Sequence, residues 1–273
     1  MAEDPPPARA FEAFNARFLT SEEVARTFIP PPQYDRLVEG NHSVLLGPRG
    51  SGKTTLLKMI QLRALAAWKH EKASTIRKTI SYHAIFLGTD VLWGSQLESR
   101  TKDIPDEEKR AQIRRTSFRL HLALAFLNAL DECRDPVVAN HPELSRFAYP
   151  LLGEPERTLA RSLAQLWLID PATDNLLGVR IHLRTQLSHL LTLTSKLRRD
   201  PAYELPQFAD LDPVGSLISA IDITNHVIGQ PGRRWAILCD ELEIAPDMVR
   251  RELFQLLRST SHNIIFKFSL FPY

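Results

Sequence analysis

Ser43-Val44-Leu45-Leu46-Gly47-Pro48-Arg49-Gly50-Ser51-Gly52-Lys53-Thr54-Thr55-Leu56-Leu57 is an apolar run, a glycine-rich turn and a second apolar run joined without a spacer. Residues Gly47 to Thr54 have the spacing Gly-x-x-x-x-Gly-Lys-Ser/Thr, which is that of a phosphate-binding P-loop between a strand and a helix. Glycines let consecutive backbone N–H groups turn inward around phosphate oxygens, and a helix N-terminus adds a positive dipole end. In that arrangement Gly47, Pro48, Arg49, Gly50, Ser51, Gly52, Lys53, Thr54 and Thr55 are the candidate nucleotide contacts. Lys53 would reach the β- and γ-phosphates, and the Thr54 hydroxyl would ligate Mg²⁺.

A second segment carries the matching acids. Arg233-Arg234-Trp235-Ala236-Ile237-Leu238-Cys239-Asp240-Glu241 reads as a buried parallel strand that ends in two carboxylates. Ligands of such sheets bind outside the carboxyl ends of the strands. Asp240 is therefore expected to hold Mg²⁺, and Glu241 to orient and deprotonate a water, a role worth about two to four decades in rate. Glu243 fits a cap or a salt bridge better than catalysis.

These residues resemble the Walker A and Walker B motifs of AAA-type ATPases, most closely the origin-recognition-like branch and its signalling (STAND) relatives. The quoted motifs cover roughly residues 31–60 and 233–273. The resemblance implies ATP and Mg²⁺ as cofactors, and a next strand whose polar end residue senses the γ-phosphate or the water. Asn263-Ile264-Ile265-Phe266-Lys267-Phe268-Ser269-Leu270 is that strand by position. Ser269 is its candidate sensor, or else an exposed serine at the strand end. The resemblance also implies an arginine finger, a fifth strand and a helical lid, none of which can be placed before Tyr273. The sheet is accordingly expected to be incomplete at the C-terminal side, leaving Val44–Leu46 at an open edge. A chain so truncated is expected to bind ATP weakly, hydrolyse it hardly at all and self-associate.

Composition sets the frame. The 273 residues are 44% hydrophobic and 24% charged, with a net charge of +2, which suits a globular chain with one large core or two smaller ones. Cys133 and Cys239 have no metal-type spacing and read as buried thiols of a reducing, cytoplasmic compartment. No run reaches the ~18 apolar residues of a membrane span. Met1–Pro7 lacks the regions of a signal peptide and reads as a disordered tail.

The expected fold is α/β, a parallel P-loop sheet with a large all-helical insertion between the two motifs. Residues 1–30 are tail and lead-in, 31–92 the first part of the core, 93–210 the insertion, and 211–273 the second part. Thr20 and Glu23 form a capping box, and Phe28, Ile29 and Tyr34 are placed either against adenine or in the core. The P-loop helix reads as running to about Trp68, followed by a strand near Thr79–Leu87. Within the insertion, Asp106-Glu107-Glu108 opens a helix that is apolar on most faces from Phe118 to Leu130, and another runs near Glu156–Leu168. Leu176, Leu183, Leu190 and Leu197 recur every seven residues, as in a coiled-coil seam or the inner stripe of a helical hairpin. A helix near Val214–Ile228 leads into the Asp240 strand, and Pro246 opens another that turns Val249, Leu253, Leu256 and Leu257 inward.

Lys58, Arg63, Lys69, Lys72, Arg77 and Lys78 have only Glu71 among them, and Arg110, Arg114, Arg115 and Arg119 crowd the front of the long helix. The four arginines spread around the helix, as on a solvated face, so contact with DNA is possible but not indicated by charge. No Asn-Lys-x-Asp guanine motif is present, which favours ATP over GTP, and no Leu-Ser-Gly-Gly-Gln signature of a transporter-type ATPase is present. Two functions fit: an ATPase that drives conformational change in an assembly, or a nucleotide-gated signalling module with little turnover, with self-association or a protein partner in either case.

Overall fold

The computed structural model describes residues 16, 18–88, 97–149, 151–245, 247–257 and 263–271. Four strands, β1 (Ser43–Leu46), β2 (Tyr82–Gly88), β3 (Arg234–Asp240) and β4 (Ile264–Leu270), form one parallel sheet in the order β1-β4-β3-β2. β3 and β4 are buried along almost their whole length, which explains their unbroken apolar sequences. Among the described residues β1 pairs on one side only, with Val44 opposite Phe268 and Leu46 opposite Leu270. It is an edge strand, as expected, and Val44 and Leu46 are exposed.

The lead-in packs on the P-loop side. Helix α1 (Ser21–Thr27) starts at Thr20, whose hydroxyl accepts from the Glu23 N–H while the Glu23 carboxylate accepts from the Thr20 N–H. Beyond it, Phe28, Tyr34 and Trp68 form an aromatic cluster with centroids 5.0 to 5.9 Å apart. The Tyr34 hydroxyl donates to the Met59 carbonyl and the Trp68 indole to the Phe28 carbonyl. Tyr34, which begins the short helix α2 (Tyr34–Leu37), is therefore core.

The single helix expected up to Trp68 is two. Helix α3 (Lys53–Lys58) ends at Met59, Gln61 is extended, and α4 (Leu62–Ala67) begins anew. The first N–H of α4 needs an acceptor, and the buried Glu132 carboxylate supplies it at 2.8 Å. The next strand also starts later than expected. Thr79 closes another helix, α5 (Ala73–Thr79), and β2 begins at Tyr82.

Between β2 and β3 every described element is helical. Asp106 caps α6 (Glu107–Cys133), whose Phe118–Leu130 stretch is almost wholly buried. Its Cys133 meets His83 near the start of β2, and its Phe126 meets Trp235 near the start of β3. The helix thus runs antiparallel to the strands, with its first turns toward their carboxyl ends. The short α7 (Pro136–Ala139) follows, then α8 (Glu154–Leu166) and α9 (Leu176–Arg199). Leu176, Leu183, Leu190 and Leu197 are at most 2% exposed, so the heptad is an inward stripe of this chain. α10 (Pro213–Val227), capped by Asp212, then leads into β3. One contiguous apolar cluster joins sheet, lead-in and these helices. In α11 (Asp247–Leu256), Val249 and Leu253 are buried and Leu257 packs beside them. The expected tail at Met1–Pro7, the start of the helical block at Trp93, the helix-opening Pro246 and the side chain of Leu256 lie outside the described residues.

Candidate nucleotide-binding site

The loop from Gly47 to Gly52 leaves β1 and enters α3. Gly50 and Gly52 have φ of 80° and 82°, the left-handed region that glycine enters without steric cost. A Cβ on either would meet no atom within 4 Å, so conformation rather than space requires glycine there. Pro48, Arg49 and Ser51 are exposed along the same turn. Lys53, expected to reach toward phosphates, is only 9% exposed. Its ammonium bends back and donates to the Gly47 and Pro48 carbonyls at 2.6 and 2.9 Å. A buried ammonium needs such acceptors, and the loop's own carbonyls are the nearest.

Thr54, Asp240 and Ser269, far apart in sequence, meet at the carboxyl end of the sheet. The Thr54 hydroxyl donates to one Asp240 oxygen at 2.7 Å, and the Ser269 hydroxyl donates to the other at 2.7 Å. The Glu241 backbone N–H in turn donates to Ser269 Oγ at 2.7 Å. Ser269 is therefore no exposed strand-end serine: it is fully buried and spends its proton on Asp240.

Glu241 itself sits at φ 50°, ψ 51°, a left-handed conformation that costs a non-glycine residue about 1–2 kcal/mol. Strain of this kind concentrates where the fold needs a side chain aimed in one direction. No sequence signal marked it. Lys58, one turn beyond Thr54, donates to the carbonyls of Ala16 and Leu19 at 2.7 Å each and ties the lead-in to α3. Burial lowers its pKa, and the nearby Asp240 opposes that shift.

Beside the loop lies a cavity of ≈380 Å³. Phe28, Ile29 and Gln33 line it from the lead-in, and Ser51, Gly52 and Thr55 from the loop and α3. Phe28, buried against Tyr34 and Trp68, and the exposed Ile29 both line this cavity, while Tyr34 turns away into the core. Thr54 and Asp240 offer hard oxygen donors of the kind Mg²⁺ takes, alongside water and phosphate oxygens. Among the described residues no cluster of three or more His, Cys, Asp or Glu could hold a metal.

The basic stretches are largely neutralised from elsewhere in the chain. Arg63 pairs with Asp135, Lys72 with Asp35, and Arg77 and Lys78 with Glu143. Arg115 pairs with Glu252 of α11. Arg119 departs most from the solvated face expected of it. It is 1% exposed, its guanidinium nitrogens lack a hydrogen-bond partner among the described residues, and burial pulls its pKa down to about 10. Among the described residues no helix is long and apolar enough to cross a membrane.

A family model described as ORC-CDC6-like matches residues 9–273. No curated protein and no solved structure matches the chain.

Proposed function

This chain belongs to the ORC-CDC6-like family, and we propose that it binds Mg-ATP at the Gly47–Thr54 loop and hydrolyses it to drive a conformational change in an assembly. The observation that carries the reading is the chain of hydroxyls on Asp240. One carboxylate touches the P-loop helix through Thr54 and the neighbouring strand through Ser269, so whatever occupies the loop acts on β3 and β4 together.

Each residue has a distinct task. Lys53 trades its loop carbonyls for phosphate oxygens, and Thr54 and Asp240 hold Mg²⁺. The ion supplies charge neutralisation on the phosphates and a fixed origin for their geometry. Glu241 orients and deprotonates the water that attacks, while Ser269 braces the Asp240 carboxylate and the Glu241 backbone. The strained backbone at Glu241 supports the second reading as well, a nucleotide-gated module with little turnover, because strain of this kind also builds switches.

Single-turnover hydrolysis measured beside equilibrium binding tests the proposal and separates the two readings. Glu241→Gln is expected to keep Mg-ATP bound while slowing hydrolysis by about two decades or more, and Asp240→Asn to weaken the Mg²⁺-dependent part of binding. Parental hydrolysis by Glu241→Gln would place the base elsewhere. Tight Mg-ATP binding with no hydrolysis by the parent would favour the gated module.

A further inference from the structure

The amino end of the sheet, opposite the nucleotide site, carries arginines whose hydrogen bonds are made but whose charge is not met. Arg146 lies in a 3₁₀ turn (Ser145–Phe147) after α7, and Arg233 immediately precedes β3. Their guanidinium carbons lie 4.6 and 5.3 Å from the centre of the same Phe147 ring, which packs edge-on against His83. Arg146 donates to the carbonyls of Arg77, Ile80 and Glu143, and Arg233 to the Arg146 carbonyl and the Gln230 amide oxygen. All of these acceptors are neutral. Arg77 and Lys78 stand beside them and share one carboxylate, Glu143, at 3.3 and 3.7 Å. Among the described residues no carboxylate forms an ion pair with Arg146 or Arg233. Burial and then the Arg233 charge lower the Arg146 pKa, and Glu143 opposes them. Two like charges held this close repel. An uncharged amide could serve a carbonyl without that penalty, so the carbonyl bonds do not by themselves account for two guanidiniums.

We infer that this face docks an acidic segment of a protein partner, whose Asp or Glu carboxylates meet the outer edges of the Arg146 and Arg233 guanidiniums with Lys78 beside them. Arg146 and Lys78 are exposed and Arg233 is half-buried. A guanidinium already fixed in place matches the planar carboxylate at little further cost in ordering. A phosphate backbone fits less well. Duplex DNA gains affinity from the number of phosphates neutralised along its length, whereas these cations surround one ring. A single strand needs aromatic rings on which its bases stack, and here Phe147 and Tyr149 are buried. A flexible acidic peptide can gather several carboxylates over one such cluster. Thr54 and Asp240 lie at the other end of the strands, so this face works with the nucleotide loop empty or filled.

Fluorescence anisotropy at low salt would compare a labelled oligoglutamate peptide with a labelled DNA duplex of equal charge. The proteins are the parent, Arg146→Gln with Arg233→Gln, and a control, Arg184→Gln with Arg199→Gln, which removes two exposed charges elsewhere. The parent is expected to bind the peptide more tightly than the duplex. The Arg146 and Arg233 double variant should lose about tenfold for the peptide, and the control should stay within about twofold of the parent. Lys78→Gln changes an exposed side chain that makes none of the carbonyl bonds, so it tests the face with the fold intact and should lose about two- to threefold. Tighter binding of the duplex than of the peptide, lost in the same double variant, would assign the face to nucleic acid and overturn the inference. No peptide binding by the parent, or parental affinity in both the double variant and Lys78→Gln, would overturn it as well. So would an equal loss in the two double variants, because the attraction would then be a matter of net charge alone.

Discussion

Glu132 gives a prediction that depends on packing alone. Its carboxylate is buried at the far end of α6, where it accepts the Leu62 N–H at 2.8 Å and so starts α4. Burial raises its pKa from 4.5 to about 7, with Arg63 and the Leu62 and Arg63 N–H groups opposing the shift. The folded chain therefore holds a proton that the unfolded chain has released between pH 4.5 and about 7. Stability must then fall as pH rises through that window, and stay low above it. A displacement of about two and a half pKa units corresponds to about 3 kcal/mol. Glu132→Gln keeps an acceptor for Leu62 and removes the ionisation. Urea unfolding at pH 5 and pH 8 is expected to show near-equal stabilities at pH 5 and a variant more stable by about 3 kcal/mol at pH 8. A variant less stable than the parent at pH 8 would refute the reasoning, since it would mean that the ionised carboxylate is a favourable partner of Arg63 and the α4 N-terminus.

Two further outcomes follow from residues that the sequence patterns misplace or leave open. Arg119→Met should stabilise the chain by about 1–4 kcal/mol in the same unfolding assay, because a buried guanidinium without a hydrogen-bond partner among the described residues is replaced by an apolar side chain; destabilisation would show that the charge is compensated. Val44 lies exposed on the one-sided edge strand β1, so sedimentation should show concentration-dependent association of the parent that Val44→Lys reduces. A parent that stays monomeric at high concentration would contradict this.

What the sequence reveals here is what is local. The glycine spacing of the loop, the apolar run ending in Asp240 and Glu241, the Thr20–Glu23 capping box and the Leu176–Leu197 stripe each lie within a few turns or one strand. The structure places them accordingly. The rest depends on partners remote in the chain. The break between α3 and α4 is set by Glu132, 70 residues from Leu62, and no propensity around Met59–Gln61 announces it. The cations of the Lys58–Lys78 stretch look unbalanced until Asp135 and Glu143 arrive from the segment after α6. Ser269 could be called a sensor or a surface serine only because Asp240, its partner, stands 29 residues away. Arg119 looked solvated because helical angles locate a residue on a helix but not which neighbour covers it.

The central claim is that the Gly47–Thr54 loop is a nucleotide site in which Lys53 exchanges its present acceptors, the Gly47 and Pro48 carbonyls, for phosphate oxygens. Titration calorimetry of Mg-ATP into the parent chain and Lys53→Ala tests it most directly. Loss of a charge-assisted contact predicts that the variant binds roughly ten- to a hundred-fold more weakly, with circular dichroism unchanged. Equal affinity in parent and variant would contradict the account.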